Sequence, residues 1–416
     1  MSKAALPPTR TDAYRARLKT RYGKERRFKL LGLGAIIFSV AMLLFLLGTM
    51  TWNGIGGFQR AEARVDFDFP TLGLALDDNT LASPQAVPQL ETAGLRDIVE
   101  FSAEEQLGAA ATELNGEAWR VAARRIVADP SILRTESSIW LPVSDDLAAG
   151  LDGSGTPEMV ALARQLDSED RLAKNFDPGF LTRSDATDPQ LVGIWGALKG
   201  TLLTMLVTLL LAFPIGVLSA LYLEEYAPKN RWTDLIEVSI NNLAAVPSII
   251  FGLLGLGVFL TIFPNFRSAP LIGGMTLALM TMPVIVISGR NAIKAVPPSI
   301  RDGALAVGAS KMQTVFHHVL PLAIPGILTG TIIGMARALG ETAPLLLIGM
   351  RAFVATPPSD VTAPATVLPV QIFLWSDEID RGFVERTSAA IIVLLIVLLV
   401  MNAAAIYLRN RFEKRW

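Results

Sequence analysis

Arg337 and Glu341 stand four residues apart within the apolar run from Leu322 to Met350 and are its only charged side chains. On a helix that spacing places both on one face. An ionised group at bilayer depth costs about 2.5–3.5 kcal/mol on insertion scales, so such a pair must face a partner or water. Arg337 falls roughly 24 Å from Pro321 along a helix rising about 1.5 Å per residue, in the outer half of a bilayer if Pro321 lies at the inner end. A guanidinium there can offer forked donors to a tetrahedral oxyanion, and a carboxylate one turn on can orient the fork and limit how tightly the anion is held. The alternative is a structural ion pair in which the two groups serve only each other. In the same run Gly326, Gly330 and Gly334 recur every four residues, with Ala338 and Thr342 extending the row. Such a stripe lets a second helix approach closely, and helix packing is its reading.

A second constellation precedes that run. Arg301-Asp302-Gly303-Ala304-Leu305-Ala306-Val307-Gly308 continues through His317, His318, Leu320 and Pro321. Ser299 stands three residues before Asp302, and Ser310 three before Gln313; each reads as a helix start in which a hydroxyl caps the first backbone amides. Pro297 and Pro298 stop whatever precedes, and Gly308 supplies a permissive backbone for a turn. The spacing predicts a helix-turn-helix knuckle between two membrane helices. Two adjacent histidines make a poor metal site, and none is expected. With no cysteine in 416 residues, disulfides, thiolate metal sites and thiol catalysis are excluded.

The elements that position these residues follow from composition. The chain is 51% hydrophobic and holds several uninterrupted apolar runs, which places it in the integral membrane class. Its formal charge of −1 hides an asymmetry: Gln59 to Gln190 carries 24 acids against 11 bases, and the remainder is correspondingly basic. An acidic water-soluble domain is therefore attached to a basic membrane unit. Its overall charge would repel anions rather than collect them.

Residues 1–29 hold ten Lys or Arg, Arg10 among them, before the anchor run 30–50, which is long enough to span and lacks an Ala-x-Ala exit. An uncleaved anchor with a cytoplasmic N-terminus is expected. Residues 51–193 form the acidic extracytoplasmic domain. Within it Ser102–Ile126 and Thr156–Leu172 show helical spacing and Val65–Leu76 alternates like a strand. The membrane core, 194–408, contains the runs Thr201–Leu223, Val238–Phe263, Ala269–Ser288, Leu322–Met350 and Ser388–Leu408, with the knuckle loop at 290–320 and a tail at 409–416. Six spans result. Lys229, Arg231, Arg290, Lys294, Arg301, Lys311, Arg409, Arg411, Lys414 and Arg415 place the intervening short segments and the C-terminus inside. The fold class is all-α integral membrane with a mixed soluble outer domain.

Asp302-Gly303-Ala304, Gly308 and Leu320-Pro321 resemble the coupling signature of ABC importer permeases, Glu-Ala-Ala-x3-Gly-x9-Ile-x-Leu-Pro. Asp302, Gly303 and His318 depart from it; Ala304, Gly308, Leu320 and Pro321 match. The words Arg337-Ala-Leu-Gly-Glu341-Thr-Ala-Pro344-Leu-Leu resemble the fifth-span motif of the PstA-type permease subunit of phosphate ABC importers. Further matches are Tyr222-Leu-Glu224-Glu225-Tyr-Ala227, Pro247-Ser-Ile-Ile-Phe-Gly252-Leu-Leu-Gly255, Leu328-Thr-Gly330 and Leu368-Pro-Val-Gln371-Ile372. Many members carry an arginine near Ile287, where Arg290 stands one turn later. The resemblance covers about Ile194 to Arg409, and the outer domain resembles an N-terminal extension of unknown function in some proteobacterial members.

That resemblance implies an anchor plus a five-helix type I importer core in a bacterial inner membrane. It implies a transporter subunit rather than an enzyme, forming half of a phosphate pathway with Arg337 and Glu341 in it. The knuckle would dock on an ATPase through Asp302, Gly303, Ala304, Gly308, Leu320 and Pro321. A second permease subunit, two ATPase subunits and an extracytoplasmic phosphate-binding protein would complete the assembly; lipid surrounds it and nucleic acid plays no part. No Gly-x4-Gly-Lys-Ser/Thr pattern occurs, so ATP and Mg would be used by the partner and no cofactor is held by this chain. A permease for sulfate or molybdate, and a membrane-anchored sensor whose working part is the acidic domain, are the competing expectations.

Overall fold

The computed structural model describes residues 12–412 apart from 75, 77, 84, 351, 352 and 381. Arg10, Lys414 and Arg415 lie outside the described residues. The chain divides into two compact units, 1–53 and 54–416.

The first unit is built on helix α1, Asp12–Ile55, 44 residues long. At about 1.5 Å per residue it measures roughly 66 Å, about twice the hydrocarbon thickness of a bilayer. The expected anchor at 30–50 is thus the apolar stretch of a longer helix. Lys, Arg, Glu and Leu propagate it through the basic segment, and no proline interrupts it.

The second unit opens with the outer domain. Strand β1, Gln59–Asp68, is central to a three-stranded antiparallel sheet between β2, Glu136–Pro142, and β3, Leu172–Phe176. Ala61, Ala63, Val65 and Phe67 alternate into a core that includes Leu90, Leu95, Ile126 and Leu141, with Phe67 stacked on Phe69. Helices α2, Leu95–Leu107, and α3, Ala118–Ala128, pack against the sheet, as does the helix pair α4, Asp145–Leu151, and α5, Pro157–Ser168, at its edge. Three expectations change here. The strand runs from Gln59 and stops at Asp68, because Pro70 sits in the first turn of a short helix. The helical stretch expected over Ser102–Ile126 is interrupted after Leu107, where Gly108 takes φ +57. Leu172 begins a strand rather than ending a helix.

The core follows. Helix α6 is Trp195–Leu221, continued by a π-helical turn at Tyr222–Tyr226. Then come α7, Arg231–Ala244; α8, Ser248–Leu254, extended to Ile262; and α9, Pro270–Lys294. The expected third span, Val238–Phe263, is bent: α7 and the α8 segment meet at 104° around Pro247. Parallel packing of α6 on α9 shows how to count it. A Cβ at Gly274, near the start of α9, would lie 2.5 Å from Val207 in α6, and Arg290, near its end, bonds Glu224 just beyond α6. Two parallel neighbours require the intervening chain to return across the bilayer, so the bent pair makes one crossing. Among the described residues, five continuous spans and this one give six.

The remaining helices are α10, Pro298–Ala306; α11, Lys311–Thr314; α12, Leu320–Leu339; α13, Ala343–Leu347; α14, Leu368–Ser376; and α15, Gly382–Phe412. The expected fifth span to Met350 ends at Leu339. Gly340 closes the helix with a bond to the Arg337 carbonyl, and Pro344, which has no amide proton to donate, starts a separate short helix.

Candidate functional site

The knuckle has the expected two short helices and turn. α10 ends at Ala306, Gly308 adopts φ +91, and Ser310 and Gln313 form a reciprocal capping box at the start of α11. The expected Ser299 cap is not made: Pro297 occupies the cap position and Pro298 the first helical one, so Ser299 lies within the first turn. A Cβ at Gly308 would meet nothing within 4 Å. Backbone conformation, not space inside this chain, therefore requires glycine there. Asp302, Gly303 and Gly308 are exposed, Ala304 is buried, and Leu320 and Pro321 are partly buried where the knuckle enters α12. Leu305, Val307, Met312 and Phe316 are also exposed, leaving the knuckle an apolar outer surface.

A charged clamp holds the knuckle to the bundle. Arg301 donates to Glu225 Oε1 through Nε at 3.0 Å and Nη2 at 2.7 Å, and to the carbonyls of Val296 and Ile293 at 2.6 and 2.9 Å. Arg290 donates to Glu237 at 2.9 Å and Glu224 at 3.4 Å. The acids of the Tyr222–Ala227 motif thus hold the end of α9 and the start of α10. Arg290 is committed to two carboxylates, so it has no free fork for an anion.

Arg337 and Glu341 approach to 3.7 Å between Nε and Oε1, but on different elements: Arg337 is in the last turn of α12 and Glu341 lies beyond it. The contact is longer than a hydrogen bond. The Arg337 side chain is 47% exposed and that of Glu341 18%. Among the described residues Arg337 has no other ion pair or hydrogen bond, so its guanidinium sits on the outer surface of a membrane helix with most of its donors free. The break after α12 lets α13 turn back against α8, where a Cβ at Gly252 would lie 2.6 Å from Pro344 Cα. Two motifs nearly a hundred residues apart in sequence meet at that glycine.

The glycine stripe faces α9. A Cβ at Gly326 would lie 2.6 Å from Ala292 Cβ, at Gly330 1.8 Å from Ser288 Oγ, and at Gly334 2.8 Å from Thr281 Cγ2. At each of the three positions a side chain would require its neighbour on α9 to shift.

Sequence reasoning missed the junction of the outer domain with α15. Arg386, 3% exposed, donates to the carbonyls of Gly57 and Pro189 at 2.6 and 2.8 Å, lies 3.9 Å from Asp177 and sits over the Phe180 ring. Asp177 also receives the forked donors of Arg183. Burial acts to raise the Asp177 carboxyl, but the hydrogen bonds and charge of Arg183, with Arg60 and Arg386, outweigh it and hold the group below its usual range. Trp375 Nε1 donates to Asp185 at 3.1 Å, and Gln190 bonds Asp145 at 2.8 Å. Among the described residues, no group of three or more acidic, histidine or cysteine side chains could hold a metal ion.

Comparison with known proteins adds the following. Residues 212–416 match the family described as "Binding-protein-dependent transport system inner membrane component", and residues 15–161 match a domain of unknown function, DUF3333. The chain is 31% identical over 289 residues to the probable ABC transporter permease protein YqgI of Bacillus subtilis, covering 66% of this chain and 97% of that protein. It is 31% identical over 214 residues to the phosphate transport system permease protein PstA of Yersinia pestis, 51% of this chain and 71% of that one. A solved structure of the MetNI methionine ABC transporter in an inward-facing conformation aligns with 53% of this chain and 95% of its own, at 18% identity and a TM-score of 0.43.

Proposed function

Because the chain belongs to the family of binding-protein-dependent ABC importer permeases, we propose that it forms half of a phosphate translocation pathway in the inner membrane, driven by a cytoplasmic ATPase docked on the 299–321 knuckle. A second permease subunit completes the pathway, and an extracytoplasmic phosphate-binding protein delivers the anion. ATP and Mg are used by the ATPase pair, and both termini of this chain are cytoplasmic. The coupling contacts are Asp302, Gly303, Ala304, Gly308, Leu320 and Pro321, and the exposed apolar surface of Leu305, Val307 and Met312 supports that reading.

The observation that carries the pathway assignment is Arg337. A half-exposed guanidinium on a membrane helix, held only at 3.7 Å by Glu341, is costly against lipid and fits a water-filled path completed by another subunit. Its free donors suit a tetrahedral oxyanion, and the PstA relative supports phosphate. Glu341 orients the fork.

The test is Arg337→Met with Glu341→Leu in the assembled transporter. A pair that served only itself would tolerate apolar replacements with little effect on assembly or transport. The proposal expects normal copurification with the partners and loss of phosphate uptake. Normal uptake by the assembled variant would remove both residues from the pathway.

A further inference from the structure

Helix α1 carries a dense local charge: between Asp12 and Lys29 it holds eight bases and two acids, and every residue from 19 to 46 is exposed. Like charges stand one turn apart in Lys24 and Arg27 and in Arg26 and Lys29, and each such pair works against the helix that carries it. Glu25 offsets Lys29 at 2.7 Å. Lys24, Arg26 and Arg27 have no hydrogen bond or ion pair among the described residues. Three cations are therefore left for a counter-charge outside this chain.

Their depth and their directions say which counter-charge fits. The apolar run 30–50 spans roughly 32 Å at about 1.5 Å per residue, the hydrocarbon thickness of a bilayer. Tyr22 and Trp52, both exposed, flank it at roughly the spacing of the two headgroup layers. Lys24, Arg26, Arg27 and Lys29 begin within roughly 9 Å of the hydrocarbon edge, at headgroup depth, whereas Arg17 begins about 20 Å away, well beyond the ~8 Å over which a charge acts in physiological salt. Successive helical residues turn by about 100°, so with Lys24 as origin Lys29, Arg26 and Arg27 point at roughly 140°, 200° and 300° and leave no gap wider than about 140°. The four cations thus encircle the helix. A protein partner would engage one face, while the phosphates of a bilayer lie on every side. Basic residues that serve only to orient insertion need no particular direction around the helix.

We propose that the ring of Lys24, Arg26, Arg27 and Lys29 holds phospholipid of net negative charge, of the phosphatidylglycerol type, in the leaflet that the basic end of α1 meets. A headgroup with an uncompensated phosphate gains from each cation what a zwitterionic headgroup, which carries a cation of its own, does not. This inference needs α1 to span the bilayer and is independent of the cargo and of the ATPase.

The test reads lipid composition beside the ring. The chain has no cysteine and a Cβ at Gly23 would meet nothing within 4 Å, so Gly23→Cys gives a unique place for a donor fluorophore. The labelled full chain is reconstituted in phosphatidylcholine vesicles holding a trace of acceptor lipid, either phosphatidylglycerol or phosphatidylcholine labelled on the acyl chain, and energy transfer to the two is compared. Phosphatidylglycerol is expected to be enriched about fivefold at the ring in ~0.1 M salt and to lose that enrichment in ~1 M salt. Lys24→Gln, Arg26→Gln and Arg27→Gln should each lower it by a similar fraction, and Arg17→Gln, the same change of charge farther out, should leave it unchanged. Each single variant keeps seven of the eight bases, and the reactivity of Gly23→Cys toward an impermeant thiol reagent checks that orientation is kept. Equal transfer to the two lipids overturns the proposal. So does a loss confined to one of the three positions, which would put the partner on one face as a protein surface would be. An equal loss with Arg17→Gln overturns it as well, since net charge and not the ring would then be acting.

Discussion

Arg301 joins the knuckle to the bundle through four hydrogen bonds, two of them to a Glu225 side chain that is only 9% exposed. Replacing it with Met strands a nearly buried carboxylate and removes the bond to the Val296 carbonyl, while the Ile293 carbonyl keeps its bond from the Val296 amide. We expect Arg301→Met to lower stability by about 1.5–3 kcal/mol, the range for hydrogen bonds to charged groups, and to release the ATPase on copurification. Arg301→Met with Glu225→Leu should recover most of the stability in a thermal melt, since no charge is left unpaired. Asp145 offers a test by pH. Burial raises its carboxyl to about 7 from a usual 3.8, the Gln190 hydrogen bond opposes this, and Asp380 and Asp188 add like charge. The folded state therefore binds a proton that the unfolded chain releases, so stability falls as pH rises from 3.8 to about 7 and the cost is complete above that. Asp145→Asn should melt higher than wild type at about pH 8 and equal to it at about pH 4, and a variant with the wild-type pH profile would contradict the assignment.

The glycines of α12 set how close that helix can come to α9. Gly330 is the tightest, and Gly330→Ala should cost about 1–3 kcal/mol by overpacking against Ser288. Adding Ser288→Gly removes the obstructing hydroxyl and should restore the melting temperature; failure to rescue would mean that the stripe does not set this contact. The stripe, the apolar runs and the capping box were legible because each depends on neighbours three or four residues away. The bend at Pro247 and the stop at Leu339 were not, although both prolines are visible. Whether a proline kinks a helix or divides it depends on what packs there, and here α13 folds onto Gly252. For the candidate site, Arg337 and Glu341 were legible as the lone charges of an apolar run, but their placement on two elements was not. The Arg386 junction was invisible in sequence, since its acceptors lie 197 and 329 residues away.

At the scale of the molecule, the proposed sidedness, with the knuckle and the basic short segments inside, is one that single cysteines can read, the native chain having none. Ser131, in the outer domain, and Ser310, in the knuckle, are both exposed. Ser131→Cys should react with an impermeant thiol reagent in intact cells and Ser310→Cys only after permeabilisation; the reverse pattern would invert the topology. The most direct test of the account as a whole is phosphate accumulation by proteoliposomes containing this chain with its second permease and ATPase partners, with binding protein supplied outside and ATP inside. The account predicts accumulation that requires both ATP and the binding protein and is abolished by Arg337→Met with Glu341→Leu. Accumulation independent of the ATPase, or of sulfate in place of phosphate, would contradict it.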